Sequence, residues 1–288
     1  MIPCFAINDI KTPKGFLLRG LWFGPKKPKR VVIWVHGLGS SAFTKLELVK
    51  LLATKGTAVL AFNNRGFERV ASVKQQIGKQ TKWHTIGAAH EKFTDCVDDI
   101  QGAIEFVRSM RVKDIYLAGH STGCQKSIYW AYKKKGKDVK GIILLAPVSD
   151  YAGAIAKYGR TKVENVAREA ERLVARGKGS ELLPNWMWEE EPNDAQRFLS
   201  LYTPDSVEEI FPYAQPGKKP TAFKAVKKPI LVLWAESDEF ADRSAKDAAE
   251  WFDQNIESKH KVVIVPNVKH NFKGAEREVA KTIREFIS

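Results

Sequence analysis

The stretch Gly119-His120-Ser121-Thr122-Gly123 sets a serine between two glycines in the pattern G-x-S-x-G. Glycines so placed let a chain turn sharply enough to hold the serine in a strained conformation at the tip of a strand, and a side chain at either position would crowd the turn. The flanks suit that reading. Asp114-Ile-Tyr-Leu-Ala118 reads as a strand, and the residues after Ser121 read as an amphipathic helix. The free N–H groups and positive dipole end of that helix would face a negative charge developing on a substrate oxygen. The plainer alternative is a serine that only caps the helix.

A serine hydroxyl is a poor nucleophile at neutral pH and needs a base, with a third group to orient that base. The downstream chain offers both. Asp238 lies just past the apolar run Ile230–Trp234, and His270 lies between the run Lys261–Val265 and the last helix. Glu236 and Asp242 compete for the acid's role. His260 competes with His270 but precedes its strand, at the end of a parallel sheet where ligands do not bind. His84 and His90 sit in a long segment, Arg65 to Glu91, that could border a pocket.

His36-Gly37-Leu38-Gly39-Ser40 follows another strand. In sheets that carry such a serine turn, the loop at this place supplies a second donor to the oxyanion, which makes the backbone N–H groups of Leu38 and Thr122 the expected pair. The loop can also be read as a glycine-rich connector. It does not read as a phosphate loop, because no Lys-Ser or Lys-Thr closes it.

To position these residues the chain needs a mainly parallel sheet covered on both faces, and its apolar runs alternate with helical stretches accordingly. Strands are expected at Cys4–Asn8, Phe16–Phe23, Val31–Val35, Ala58–Phe62, Asp114–Ala118, Gly141–Leu145, Ile230–Trp234 and Lys261–Val265. The fold class is thus α/β, an eight-stranded, mostly parallel sheet. Lys-Thr-Pro-Lys-Gly between the first two strands is short enough for a hairpin, so an antiparallel edge is expected there. Helices are expected near Lys45–Lys55, Phe93–Arg108, Thr122–Lys135, Ala241–Asn255 and Gly274–Ile287, where apolar residues recur at spacings of three and four.

Between Asp150 and Val226 the alternation stops. Residues 150–226 read as a helical cap inserted after the sixth strand, with 1–149 and 227–288 forming the core domain; the insert is too long for a plain loop. Trp186, Trp188, Phe198 and Tyr202 in it could line a substrate pocket or glue the cap to the core, since aromatic side chains dominate both uses.

Composition narrows the function classes. With 288 residues, 44% hydrophobic, the chain can bury a large core. No apolar run approaches the ~18 residues of a membrane span, and the start lacks a secretory signal, so no membrane partner and a cytoplasmic location are expected. Three scattered cysteines, Cys4, Cys96 and Cys124, suit a reducing compartment, and Cys124 reads as a small buried packing residue. No His/Cys/Asp cluster has metal-ligand spacing, so neither metal nor cofactor is expected. The formal charge of +14 is dispersed in short lysine clusters and accompanied by no nucleic-acid motif, so no nucleic-acid partner is expected. Oligomeric state leaves no sequence signal.

Taken together, the loop at His36, the serine turn, Asp238 and His270, in this order along nearly the whole chain, resemble the α/β-hydrolase superfamily. Within it, Gly119-His-Ser-Thr-Gly-Cys-Gln125 and Arg197-Phe-Leu-Ser-Leu201 are similar to a group that includes fungal fusarinine-type siderophore esterases; that match implies no particular substrate. The superfamily resemblance implies a serine hydrolase acting on a small-molecule carboxylic ester: Ser121 attacks the carbonyl, His270 is the base, and Leu38 and Thr122 hold the oxyanion. A thioesterase or acyltransferase would use the same groups, and a ligand-binding protein could retain the fold without the chemistry.

Overall fold

The computed structural model describes residues 2–288. Among them ten strands form one sheet. In chain order they are β1 (Cys4–Lys11), β2 (Phe16–Phe23), β3 (Arg30–Val35), β4 (Thr57–Phe62), β5 (Ala71–Ile77), β6 (Gln80–Ile86), β7 (Asp114–His120), β8 (Gly141–Leu145), β9 (Ile230–Ala235) and β10 (His260–Val265). The sheet runs β10-β9-β8-β7-β3-β4-β2-β5-β6, with β1 also paired to β2. The six strands from β10 to β4 are parallel to their neighbours. Around β2 every pairing is antiparallel, including the expected hairpin with β1.

β4, β8 and β9 are buried along their whole length, and β3 is buried beyond its first residue. That is why they appear in the sequence as unbroken apolar runs. Along β3, Val31, Ile33 and Val35 enter one half of the core, and Val32 and Trp34 the other. The first half is covered by α2 (Cys96–Ser109), α3 (Thr122–Lys134) and α8 (Ala245–Asn255). The second is covered by α1 (Leu46–Leu52) and α9 (Glu276–Phe286). α9 buries Val279 and Ile283 on its inner face, and Ile287 just past its end is buried as well.

The ten strands exceed the eight that the apolar runs predict, because β5 and β6 form a hairpin in the segment Arg65–Glu91. Gly78, at φ 59°, opens the two-residue turn between them. Both strands are mostly polar, and Trp83 is 65% exposed, so neither buries enough apolar surface to leave an apolar run.

Between β8 and β9 lie α4 (Asp150–Tyr158), α5 (Arg160–Ala175), α6 (Ala195–Tyr202) and α7 (Thr221–Lys224). α4, α5 and α6 close over a cluster of their own, formed by Ala154, Val163, Val166, Ala170, Leu183, Trp188, Phe198 and Leu201. The later part of the insertion behaves differently. Ile210, Phe211, Tyr213, Phe223 and Val226 join the main core, where Phe211 and Phe223 pack edge-on at 5.2 Å and both meet Phe252 of α8. No helix among the described residues is long and apolar enough to cross a membrane.

Candidate active site

β7 runs between β3 and β8 and ends at His120; Ser121 follows, and α3 starts at Thr122. Ser121 has φ 54° and ψ −130°, a backbone region that a residue with a Cβ occupies only under strain. Its N–H donates to the Leu145 carbonyl at 2.9 Å, and its own carbonyl accepts from the Cys124 N–H at 2.8 Å. The flanking glycines are required by close approach. A Cβ on Gly119 would lie 2.3 Å from the Gly123 carbonyl oxygen, and one on Gly123 would lie 2.1 Å from that of Val35.

The loop after β3 lies directly against this serine, since a Cβ on Gly37 would stand 2.8 Å from Ser121 Cβ and 3.4 Å from its Oγ. His36 fixes the loop from below. Its Nε2 accepts from the Asn64 N–H at 3.2 Å, which leaves Nδ1–H to donate to the Gly37 carbonyl at 2.9 Å. Burial, helped by the nearby Lys126 ammonium, lowers its pKa to about 3, so it stays neutral. The N–H groups of Leu38 and Thr122 donate to no acceptor among the described residues. Thr122 opens α3, where a helix has no internal acceptor to offer.

Asp238 sits in the turn after β9 and His270 in the turn after β10. The structure brings them together: His270 Nδ1 lies 2.8 Å from Asp238 Oδ2 and 3.0 Å from Oδ1, with both side chains buried. A carboxylate oxygen accepts, so Nδ1–H is the donor of this pair, and in the neutral imidazole that tautomer leaves the lone pair on Nε2. Three further residues hold this imidazole. The His270 N–H donates to Glu239 Oε2 at 2.9 Å, and the Phe240 ring stands edge-on to the imidazole at 4.8 Å. His120 Nε2 donates to the His270 carbonyl at 3.0 Å. Burial, with His270 and Lys45 nearby, keeps the His120 pKa well below the ordinary histidine value, so it is a neutral donor.

Ser121, His270 and Leu38 line one cavity of about 670 Å³ beneath α4. Residues 83–287 match the model of a family described as a protein of unknown function, DUF1749. The chain belongs to that family. The DUF1749 protein is similar over its whole length to solved structures with the α/β-hydrolase fold. DcsB, solved in complex with its substrate analogue, has a TM-score of 0.69 at 15% identity, over 99% of this chain and 98% of its own. Est1E from Butyrivibrio proteoclasticus, solved with ferulic acid bound, has a TM-score of 0.60 at 18% identity, over 99% and 94%. The monoacylglycerol lipase of Paleococcus ferrophilus has a TM-score of 0.61 at 18% identity, over 100% and 98%. No curated protein matches the chain by sequence. The chain has the α/β-hydrolase fold.

The remaining candidates divide sharply. Trp188 and Tyr202 line the cavity of the DUF1749 protein, whereas Trp186 and Phe198 do not. Trp186 is 82% exposed in the turn after Pro184, and Phe198 is fully buried on the inner side of α6, edge-on to Trp188 at 4.9 Å. None of Arg65–Glu91 lines the cavity either. His84 is tied to Gln75 within the β5–β6 hairpin, and His90 to Asp194 of the insertion at 2.9 Å. Glu236 accepts from the Asn267 N–H, Asp242 pairs with Arg243, and His260 lies at the start of β10. Cys124 is buried, and burial pushes its thiol pKa well up. Among the described residues no group of three or more His, Cys, Asp or Glu side chains could hold a metal.

Behind the cavity lies a cluster that the sequence pattern does not reveal. Lys126 of α3, fully buried, pairs with Glu91 at 2.6 Å. Arg197 of α6, also fully buried, pairs with Glu91 at 2.9 Å and with Glu208 at 2.6 Å. Burial alone would raise the Glu91 pKa, but Lys126 and Arg197 hold it below the ordinary value. The cluster joins α3 of the core to the insertion between β8 and β9 through four charged side chains. Lys126 is hidden in the sequence because it sits in Gln125-Lys126-Ser127, which looks like the polar face of a helix.

Proposed function

We propose that this protein is a serine hydrolase of small-molecule carboxylic esters, with Ser121 as nucleophile, His270 as base and Asp238 as its orienting acid. The observation that carries the reading is the Asp238–His270 pair, which engages Nδ1 and leaves Nε2 as the free ring nitrogen of a histidine that lines the same cavity as Ser121 in its strained turn. The esterases and lipase that share the fold support ester chemistry.

In this mechanism Ser121 Oγ attacks the carbonyl carbon while its proton passes to His270 Nε2. The oxygen that becomes negative is received by the N–H groups of Leu38 and Thr122. As the tetrahedral intermediate collapses, His270 returns the proton to the leaving alcohol. Water then repeats the sequence in reverse and frees the acid and Ser121. Residues 150–226 serve as the lid that shapes the cavity, and three free thiols suit a reducing, cytoplasmic setting.

The direct test is labelling with a fluorophosphonate followed by peptide mass analysis. The adduct is expected on Ser121 alone; a protein that stays unlabelled, or one labelled elsewhere, would sink the assignment. His120 acts as a positioning residue, since it reaches the base only through the His270 carbonyl. His120→Phe is expected to lower kcat by about 10- to 100-fold with little change in KM, the cost of a misplaced base. A steady-state comparison on one aryl ester reads this, and a change confined to KM would speak against it.

A further inference from the structure

The charges behind the cavity do not balance. Arg197 faces Glu91, Glu208 and Asp150, Lys126 pairs with Glu91, and Lys218 lies near Glu209, so three cations meet four carboxylates, of which Glu91 and Glu208 are buried and Asp150 and Glu209 half-buried. Glu91 and Glu208 have cationic partners. Glu209 is held by the Ser149 hydroxyl at 2.8 Å and by Gln215. Asp150 makes no ion pair among the described residues; its one side-chain partner is the Gln125 amide at 3.1 Å. Asp150 is also the member of this cluster that lines the cavity beside Ser121.

Other carboxylates on the cavity wall are already engaged. Glu190 takes Lys157 and Tyr158, Glu191 takes Arg69, and Glu239 accepts from the His270 N–H. The same cavity is lined by the edges of a packed aromatic group, Tyr158, Trp188 and Tyr202. The Tyr158 ring already carries two ammonium groups of this chain, Lys157 at 5.1 Å and Lys162 at 4.9 Å from its centroid. An unpaired carboxylate beside aromatic rings is the chemistry that recognises an organic cation.

We propose that the ester taken by this site carries an ammonium group, placed against the Asp150 carboxylate and the rings of Trp188 and Tyr202, and that Asp150 selects for it. The inference rests on the ester-hydrolase reading above. Protons offset the excess of carboxylates. Burial, then Glu208, pushes the Asp150 pKa up to about 8 against the opposing pull of Arg197, and burial takes Glu209 to about 7. Tyr202, whose own pKa burial raises, also faces Asp150, and the same cavity wall carries the ammonium groups of Lys157 and of Lys45, whose pKa burial lowers to about 8. A bound cation requires the ionised carboxylate, so its binding strengthens as pH rises through this range.

Two matched pairs of substrates test the proposal and tell the two halves of the ester apart. For the acyl side, 4-nitrophenyl 4-(trimethylammonio)butanoate is compared with the neutral 4-nitrophenyl 5,5-dimethylhexanoate. For the alcohol side, butyrylcholine is compared with 3,3-dimethylbutyl butyrate. In one pair the cationic ester is expected to have at least a tenfold higher kcat/KM, of the order that a buried polar contact gives in discrimination. Its KM should fall as pH rises from about 6.5 to about 8.5, whereas that of the neutral ester should not follow. In Asp150→Asn the preference should collapse towards unity, and in Asp150→Glu it should partly return.

Equal rates within both pairs would overturn the proposal, as would a preference that survives in Asp150→Asn. Hydrolysis of 4-nitrophenyl acetate, present in the wild type and lost in Ser121→Ala, separates the two readings: with that activity intact, a missing preference defeats only the ammonium site. Calorimetric titration of Ser121→Ala with tetramethylammonium reads the site without turnover. Binding that Asp150→Asn abolishes is the expected result, and no binding counts against the proposal.

Discussion

Ser121→Ala is expected to reduce ester turnover by about a million-fold, to the level that the cavity and its two N–H donors supply alone. Without Oγ there is no atom to form the acyl-enzyme, and His270 has no proton to take. The loss should appear in kcat rather than KM, because Oγ acts in the transition state and contributes little to holding the substrate. Ser121→Gly should be equally inactive yet more stable than Ser121→Ala by about 1 kcal/mol, because glycine accepts a positive φ without strain. Single-turnover kinetics and thermal melting of the two variants read these effects. A Ser121→Ala protein with activity within tenfold of wild type would end the proposed mechanism.

The second large effect concerns stability. Arg197→Met should cost about 3–5 kcal/mol, since removing one partner strands buried carboxylates that have no water to turn to. Among the described residues Glu208 loses its only cationic partner, and Glu91 is left with Lys126. Stranded carboxylates have folded-state pKa values above their unfolded ones, so the folded variant takes up protons more readily than the unfolded chain does. The deficit should therefore be largest near neutral pH and shrink as pH falls towards the ordinary carboxylate range. Urea unfolding of both proteins at pH 7 and about pH 5 measures it. A loss below about 1 kcal/mol at pH 7, or one independent of pH, would show that the ion cluster does not hold the β8–β9 insertion to the core.

The serine turn was legible because its requirements are local: two glycines, a strand before and a helix after. Asp238 could be placed because it follows an unbroken apolar run that marks a buried parallel strand, and His270 because it follows the shorter apolar run of the edge strand β10, in which only Val265 is buried. The hairpin β5–β6 escaped because its strands hold few apolar residues, and strand patterns are read from those. Trp186 and Trp188 show a second limit. They are two residues apart and chemically alike, yet one is exposed and the other packs against Tyr158, Phe198 and Tyr202. Nothing in the spacing distinguishes them. Lys126 and Arg197 mark a third limit, since a lysine or arginine in a helix is read as surface unless its distant partners are known.

The insertion between β8 and β9 has two characters: helices α4 to α6 pack on one another, while Phe211, Tyr213 and Phe223 pack among the side chains of α8 and β9. This bears on grafting. A chimera that imports a foreign lid at the outer boundaries, near residues 150 and 226, would also remove ring systems that the host interior is built around. The exchangeable unit ends close to Tyr202, and a transplant that leaves residues 208–226 native can alter the cavity roof without hollowing the body beneath it.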